Sequence, residues 1–341
     1  MSVRDVIIIG AGPSGLSAAI AAKRRDLDYQ VLEQGVLVNS IFRFPPQMVF
    51  FTTPELLEIG GLPFVSPYDK PTRPEALKYY RKVVDAYDLQ ISYGEKVLSV
   101  EREAGGAGGV GGSGGSVGEH VFAIETQSAN GVRRARHTRH VVMAIGYYDH
   151  PVMLGVPGED LPHVHHYYAE PHPHYRQRVV IVGGGNSAAE SALELYRAGA
   201  HVTIVHRAPA LKSTIKYWVR PDVENRIKEG SIAARFEAHV TAIRRSSVII
   251  RSGGSGGEEE LPADAVYLLT GYRADADLLR HAGVTLNERD APVHDPETFE
   301  TNVPGLFVAG GAIAGVDTGT IFIENGRFHG EKIIEVIAGR E

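Results

Sequence analysis

Two glycine turns in this 341-residue chain are each followed, 23 positions after their first glycine, by an ionisable residue closing an apolar run, an acid after the first turn and a histidine-arginine pair after the second. The first turn is Gly10-Ala11-Gly12-Pro13-Ser14-Gly15 and leads to Glu33. The second is Gly183-Gly184-Gly185-Asn186-Ser187-Ala188 and leads to His206-Arg207, with Lys212 and Lys216 beyond. Spacing of this kind sets backbone N–H groups at a helix start, where they can meet the phosphates of a dinucleotide. The first glycine closes a tight turn, the second lets a pyrophosphate approach, and the third small residue lets the helix lie close on its strand. Glu33 can accept both hydroxyls of an unphosphorylated ribose, as in FAD. Arg207, His206 and Lys212 would attract the 2′-phosphate of NADPH that a carboxylate repels; one such pair is worth on the order of a few kcal/mol near a surface.

Each turn needs a buried strand before it and a helix after it. Val6-Ile7-Ile8-Ile9 and Val179-Val180-Ile181-Val182 supply the strands, alanine-rich helices follow to about Arg25 and Arg197, and Tyr29–Glu33 and Val202–His206 supply the second strands. The copies lie 173 residues apart, which predicts an α/β chain with two Rossmann-like dinucleotide-binding domains. The length agrees with about two domains. A formal net charge of −6 gives no basic footprint for nucleic acid. No apolar run reaches the ~18 residues of a membrane span, and the start has no signal-peptide layout, so a cytoplasmic protein with no membrane partner is expected. Cysteine is absent, which excludes disulfides, thiolate metal sites and a protein dithiol relay. The glycine-rich stretch Ala104 to Gly118 reads as a coil joining two paired strands, Lys96–Arg102 and His120–Thr126. A shorter one, Ser252 to Gly257, reads the same way between Ser247–Arg251 and Ala265–Leu269.

Gly10–Gly15 with Glu33, Ala144-Ile145-Gly146, Gly183–Glu190, His206-Arg207, Thr270-Gly271-Tyr272 and Val303–Gly310 together resemble the low-molecular-weight thioredoxin reductase family of two-dinucleotide flavoproteins, over nearly the whole chain. More narrowly, Ile215-Lys216-Tyr217-Trp218, His166-Tyr167-Tyr168 with His172-Pro173, and Ile321–Gly330 resemble the YpdA-type bacillithiol disulfide reductases. The resemblance implies an FAD domain built from residues 1–150 and 273–341, an NADPH domain of residues 151–272 inserted in it, and a homodimer. It implies FAD contacts at Gly10, Gly12, Pro13, Ser14, Gly15, Glu33, Gln34, Val97, Ala144, Gly146, Gly310, Gly311, Thr320 and Ile321. NADPH contacts are implied at Gly183, Gly185, Asn186, Ser187, Ala188, Glu190, His206, Arg207, Lys212, Thr270, Gly271 and Tyr272. The last helix, starting between Thr318 and Phe322, would aim its N-terminus at the flavin. The implied activity is hydride transfer from NADPH to FAD, then reduction of a small-molecule thiol disulfide or a small redox protein.

This sequence departs from the family at three places. The Cys-x-x-Cys pair of thioredoxin reductases is missing between His163 and Tyr175, so dithiol exchange with thioredoxin is excluded. Ser14 stands where YpdA-type enzymes commonly have cysteine, and a hydroxyl cannot replace a thiolate in disulfide exchange. Gly311 stands where the family has an acid, with Asp317 or backbone groups as the substitutes.

Ser14 has three readings: a nucleophile, which lacks a base at useful spacing; a hydrogen-bond donor to phosphate or flavin; or a small residue permitting close approach. His163, His165, His166, His172 and His174 read as surface or interdomain histidines broken by prolines rather than a metal site, and the YpdA resemblance implies His166 or His172 as the candidate proton donor to an acceptor. Segment 43–53 would wrap the flavin, with Gln47, Thr52 and Thr53 as contacts and Phe50 and Phe51 as core or platform. Two further readings differ in class: a thioredoxin-reductase-type ferredoxin or flavodoxin NADP reductase, and a redox sensor that binds both nucleotides without turnover.

Overall fold

A computed structural model describes residues 3–103, 121–253 and 257–340. The chain falls into two compact units, Met1–His150 with Tyr272–Glu341, and Pro151–Gly271.

In the first unit, strand β1 (Val3–Ile9) leads through the first glycine turn into helix α1 (Pro13–Arg24) and strand β2 (Tyr29–Leu32). Pro13 fits the first helical turn because its missing N–H has no partner there in any case. Ala18, Ala19, Ala21 and Ala22 give α1 a small, buried face that lies close on the sheet. Strands β3 (Ile91–Ser92), β4 (Glu95–Glu103), β5 (Val121–Ser128) and β6 (Arg133–Met143) complete the sheet in the order β3-β2-β1-β6-β5-β4. The strands flanking the long glycine-rich stretch pair antiparallel, Val97 with Thr126 and Val100 with Ile124, as their β-branched residues predict. The stretch itself lies outside the described residues, as does His120.

The second unit repeats the plan. Strand β7 (Val164–His165) precedes β8 (Arg178–Val182), the second glycine turn, helix α2 (Asn186–Arg197) and β9 (His201–Val205). With β10 (Ala233–Arg235) and β14 (Ala265–Leu268) the parallel order is β10-β9-β8-β14-β7. A separate three-stranded sheet holds β11 (Ala238–Arg244), β12 (Ser247–Ser252) and β13 (Glu258–Pro262). Here the structure corrects the sequence reading. The partner of Ser247–Arg251 is β13, not Ala265–Leu269, which joins the parallel sheet. Three consecutive glutamates hide β13 from a hydropathy reading, but Glu258, Glu259 and Glu260 pair with Arg251, Arg235 and Arg244 at 3.0, 2.8 and 3.2 Å.

The chain returns to the first unit with β15 (Leu306–Val308), which pairs with β6 parallel. It ends in two helical segments, α3 (Ile323–Gly326) and α4 (His329–Ala338). The terminal helix therefore starts at Ile323, just past the predicted window, and is interrupted at Arg327-Phe328. Asn325 sets this start: its Oδ1 accepts Phe322 N–H at 2.8 Å while its Nδ2 donates to Thr320 O at 3.0 Å. Among the described residues no helix is long and apolar enough to cross a membrane.

Candidate functional site

In the first unit, β2 and β6 lie on opposite sides of β1 and all three run parallel, so the carboxyl end of β1 is a switch point where a ligand crevice opens. The residues there are those singled out from sequence. Gly10 has φ +108°, and a Cβ on it would stand 2.3 Å from Ala144 O. A Cβ on Gly15 would stand 2.0 Å from Gly10 O, so the turn, helix and β6 end close on one another only through glycine. Gly12 is different: nothing lies within 4 Å of a Cβ there, and the start of the 12-residue helix α1 faces open space. This is the cradle a pyrophosphate needs, with N–H groups and partial positive charge aimed into it.

Glu33 is 5% exposed. Its Oε2 accepts Ala11 N–H and its Oε1 accepts Gly35 N–H, both at 2.8 Å, which leaves lone pairs on each oxygen for further donors. Burial pushes its pKa up, against those two hydrogen bonds, and nearby Asp149 pushes the same way. Asp149 was not legible as a site residue. It gathers Gln34 Nε2 at 3.0 Å, Asn39 Nδ2 at 3.2 Å and Arg43 at 3.1 Å, so a polar ring closes the outer side of Glu33. No spacing signal marked it, because its partners, all within residues 34–43, lie more than 100 positions away in the sequence.

On the other side of β1, Gly310 lies at the end of β15 with φ +62° and meets Ser14 and Gly326. Ser14 Oγ donates to Gly326 O at 2.9 Å, tying the first glycine turn to the end of α3. A Cβ on Gly311 would lie 2.6 Å from Tyr147, so the family acid would displace that ring. Asp317 pairs with Arg289 at the surface. Thr320 Oγ1 donates to Asp317 O at 3.0 Å, and the Phe51 and Phe322 rings meet edge-on at 5.5 Å, bringing segment 43–53 to Ile321. In that segment Thr52 and Phe50 are buried, whereas Gln47 and Thr53 are exposed. Val97 is a buried strand residue at a register shift of β4, in one apolar cluster with Ile9 and Leu32.

His329, at the start of α4, was not singled out by sequence. Its Nδ1 accepts Gly310 N–H at 3.2 Å and its ring stacks on Phe299 at 4.3 Å. Burial and His294 lower its pKa from 6.5 to about 4. The unfolded chain therefore takes up a proton below pH 6.5 that the folded site refuses. Stability should fall as pH drops from 6.5 towards 4, by roughly 3 kcal/mol if His329 acts alone. The wild-type minus His329→Gln difference in urea stability is expected to shrink over that window; a difference that stays flat with pH would refute this assignment.

In the second unit, β9 and β14 flank β8 and the second glycine turn sits at its carboxyl end. A Cβ on Gly183 would lie 2.4 Å from Leu269 O, and one on Gly184 would lie 2.5 Å from the His206 ring. Ala188 is fully buried beneath the turn, while Ser187 and Gly185 face outward. His206 is buried, and burial with Lys212 and Arg207 lowers its pKa, so this ring is a neutral lid over Gly184 rather than a cation. Arg207 and Lys212 are exposed. Lys212 N–H donates to Gly184 O at 2.9 Å, which holds its side chain beside Gly185. Glu190 pairs with Lys216 at 2.5 Å, and Asn186 Oδ1 accepts Lys216 N–H at 2.9 Å. Thr270 Oγ1 donates to Val152 O at 2.6 Å and Gly271 O accepts Val152 N–H at 3.0 Å. Tyr272 belongs to the first unit, its ring against Tyr148 at 4.6 Å.

Two members of the histidine run, His165 and His174, meet on Tyr267. His174 is buried between Gln177 Oε1 at 2.9 Å and Tyr267 OH at 2.7 Å, His165 packs on Tyr267 at 5.2 Å, and His172 is exposed. His166 lies 3.9 Å from Glu159, whose oxygens accept Leu154 and Gly155 N–H. Among the described residues no group of three or more histidine, aspartate or glutamate side chains is arranged to hold a metal ion.

Comparison with known proteins matches residues 7–112 and 115–310 to the pyridine nucleotide-disulphide oxidoreductase family. Bacilliredoxin reductase Bdr of Bacillus subtilis is 41% identical over 345 residues, covering 100% of this chain and 99% of the relative. The structures of bacillithiol disulfide reductase Bdr (YpdA) from Bacillus cereus and Staphylococcus aureus superpose with TM-scores of 0.91 and 0.88. Each is 37% identical, with 100% of both chains covered.

Proposed function

Because the chain belongs to the pyridine nucleotide-disulphide oxidoreductase family, we propose that it is an FAD-dependent oxidoreductase that carries electrons from NADPH to a low-molecular-weight thiol disulfide of the bacillithiol class. FAD belongs to the first unit and NADPH to the second, and the working form is a homodimer in the cytoplasm. The observation that carries the reading is the sign reversal on equal geometry: two glycine turns at matching switch points, closed by buried Glu33 in one and by exposed Arg207 and Lys212 in the other.

The open face at Gly12, the N–H groups of α1 and the remaining lone pairs of Glu33 suit the pyrophosphate and ribose of FAD. Bound there, FAD supplies the two-electron chemistry that links a nicotinamide to a disulfide. The chain's part is to bind and orient. With no cysteine anywhere, it offers no thiolate to attack the acceptor, and the Ser14 hydroxyl is held by Gly326 O. Reduction of the disulfide therefore proceeds without a mixed disulfide to the protein.

The test is anaerobic. Enzyme bleached by NADPH is expected to regain its yellow colour with bacillithiol disulfide at a rate matching steady-state turnover, and alkylation by iodoacetamide beforehand should leave that rate unchanged. Recolouring only by ferredoxin, a bacilliredoxin or oxygen would reject the small-disulfide acceptor.

A further inference from the structure

Residues 207–220 leave β9, cover the second glycine turn and return to the core. Ile215 and Val219 are buried on either side of Tyr217-Trp218, as firm anchors for what lies between them. The loop is laced to the second glycine turn and the start of α2 by hydrogen bonds from Lys212 N–H to Gly184 O at 2.9 Å, Lys216 N–H to Asn186 Oδ1 at 2.9 Å, and Asn186 Nδ2 to Thr214 O at 3.3 Å. A turn bond from Val219 N–H to Lys216 O at 2.9 Å closes the segment that carries the aromatic pair.

This anchored segment projects two large aromatics into solvent. Tyr217 is 83% exposed and Trp218 is 47% exposed, with their rings edge-on at 4.9 Å. The Lys216 ammonium, paired with Glu190 on α2, sits 5.9 Å from the Trp218 ring. So the same short loop offers Arg207 and Lys212 for an anion beside the glycine turn and two exposed aromatic side chains a few residues on. A surface that joins cations to aromatic rings at a phosphate-binding helix start has the chemistry to hold a phosphorylated nucleoside: charge for its phosphates, π surface for its base.

Resting on the NADPH reading of this unit, we infer that Tyr217 and Trp218 form the adenine platform for the 2′-phosphoadenosine half of the dinucleotide. Base stacking on an aromatic ring is selective for the presence of a base rather than for its phosphate. Arg207 and Lys212 thus set the preference for a 2′-phosphate, and the aromatic pair sets the affinity for the adenosine that bears it.

Trp218 is the sole tryptophan in the sequence, so it reports on its own surroundings. Full-length, FAD-loaded enzyme titrated with 2′,5′-ADP should lose tryptophan fluorescence saturably, with a midpoint equal to the Kd found by calorimetry. Trp218→Ala and Tyr217→Ala are each expected to weaken 2′,5′-ADP roughly tenfold by calorimetry. Trp218→Phe should retain wild-type affinity within about threefold, because a π face remains, and ribose 5-phosphate, which lacks the base, should bind all variants alike. If the wild type binds 2′,5′-ADP and both alanine variants bind it equally well, the platform is refuted while the NADPH reading stands. The platform is refuted equally if both alanine variants lose affinity for a protein acceptor alone, which would make the pair a docking surface. If the wild type binds no 2′,5′-ADP, the NADPH reading fails and the platform with it.

Discussion

Gly15→Ala is expected to yield protein that is colourless and less stable by ~3 kcal/mol or more, while Gly12→Ala folds as the wild type does yet holds FAD at least tenfold more weakly. The two glycines lie three residues apart in one turn, but their surroundings are opposite. A methyl at position 15 meets the Gly10 carbonyl oxygen at 2.0 Å, its carbon at 3.1 Å and Ala144 Cβ at 3.4 Å. Two of those atoms belong to backbone fixed by β1, so no side chain can swing aside, and α1 must lift from the sheet. Lifting it uncovers the alanine face that α1 buries, which puts the cost at or above the upper end of ordinary overpacking. A methyl at position 12 meets nothing within 4 Å, so apo stability should change by less than about 1 kcal/mol, the scale of an exposed cap substitution. It would, however, stand in the open cradle at the start of α1. Urea unfolding of the apoproteins and flavin retention, followed by visible absorbance relative to that of the protein, separate the two effects. A Gly12→Ala protein that keeps FAD at wild-type affinity would show that the pyrophosphate lies elsewhere.

The distinction between those two glycines was legible in the sequence because the turn is local. Every residue of Gly10–Gly15 is near its neighbours in the chain, and the strand before it and the helix after it carry strong apolar and alanine patterns. The equal spacing to Glu33 and to His206 was legible for the same reason. What escaped were features made by residues that meet only after folding. Asp149 closes the Glu33 side of the site through Gln34, Asn39 and Arg43, and His329 receives the Gly310 N–H from 19 residues away. Strand β13 escaped because its glutamates look solvated until Arg235, Arg244 and Arg251 are set across from them. Gly311 is a milder case. The sequence marks the missing acid, but only the fold places Tyr147 where an acid's Cβ would go.

Arg207→Ala should raise the KM for NADPH about thirtyfold with kcat nearly unchanged, and should alter the NADH value by less than about threefold. The size follows from losing a charge-assisted hydrogen bond to a phosphate, worth about 1.5–3 kcal/mol, of which ~2 kcal/mol corresponds to that factor. The effect is expected from Arg207 and Lys212, which are exposed, rather than from the buried His206. Burial and the two neighbouring cations disfavour a charged His206 ring, which packs over Gly184 as a neutral group. The preference for NADPH over NADH should therefore be level from about pH 6.5 to 8.5 as far as His206 is concerned, whereas a charged imidazole would strengthen it steadily as pH falls. Salt supplies an independent reading. Arg207 and Lys212 are exposed, so raising ionic strength from about 0.01 to 0.15 M shortens the screening length from about 30 to 8 Å and should weaken NADPH far more than NADH. The Arg207→Ala enzyme should have a shallower salt dependence than the wild type. Equal losses for the two nucleotides, or an unchanged salt slope, would place the 2′-phosphate away from this strand end and remove the charge reversal as the basis for telling the two nucleotide sites apart.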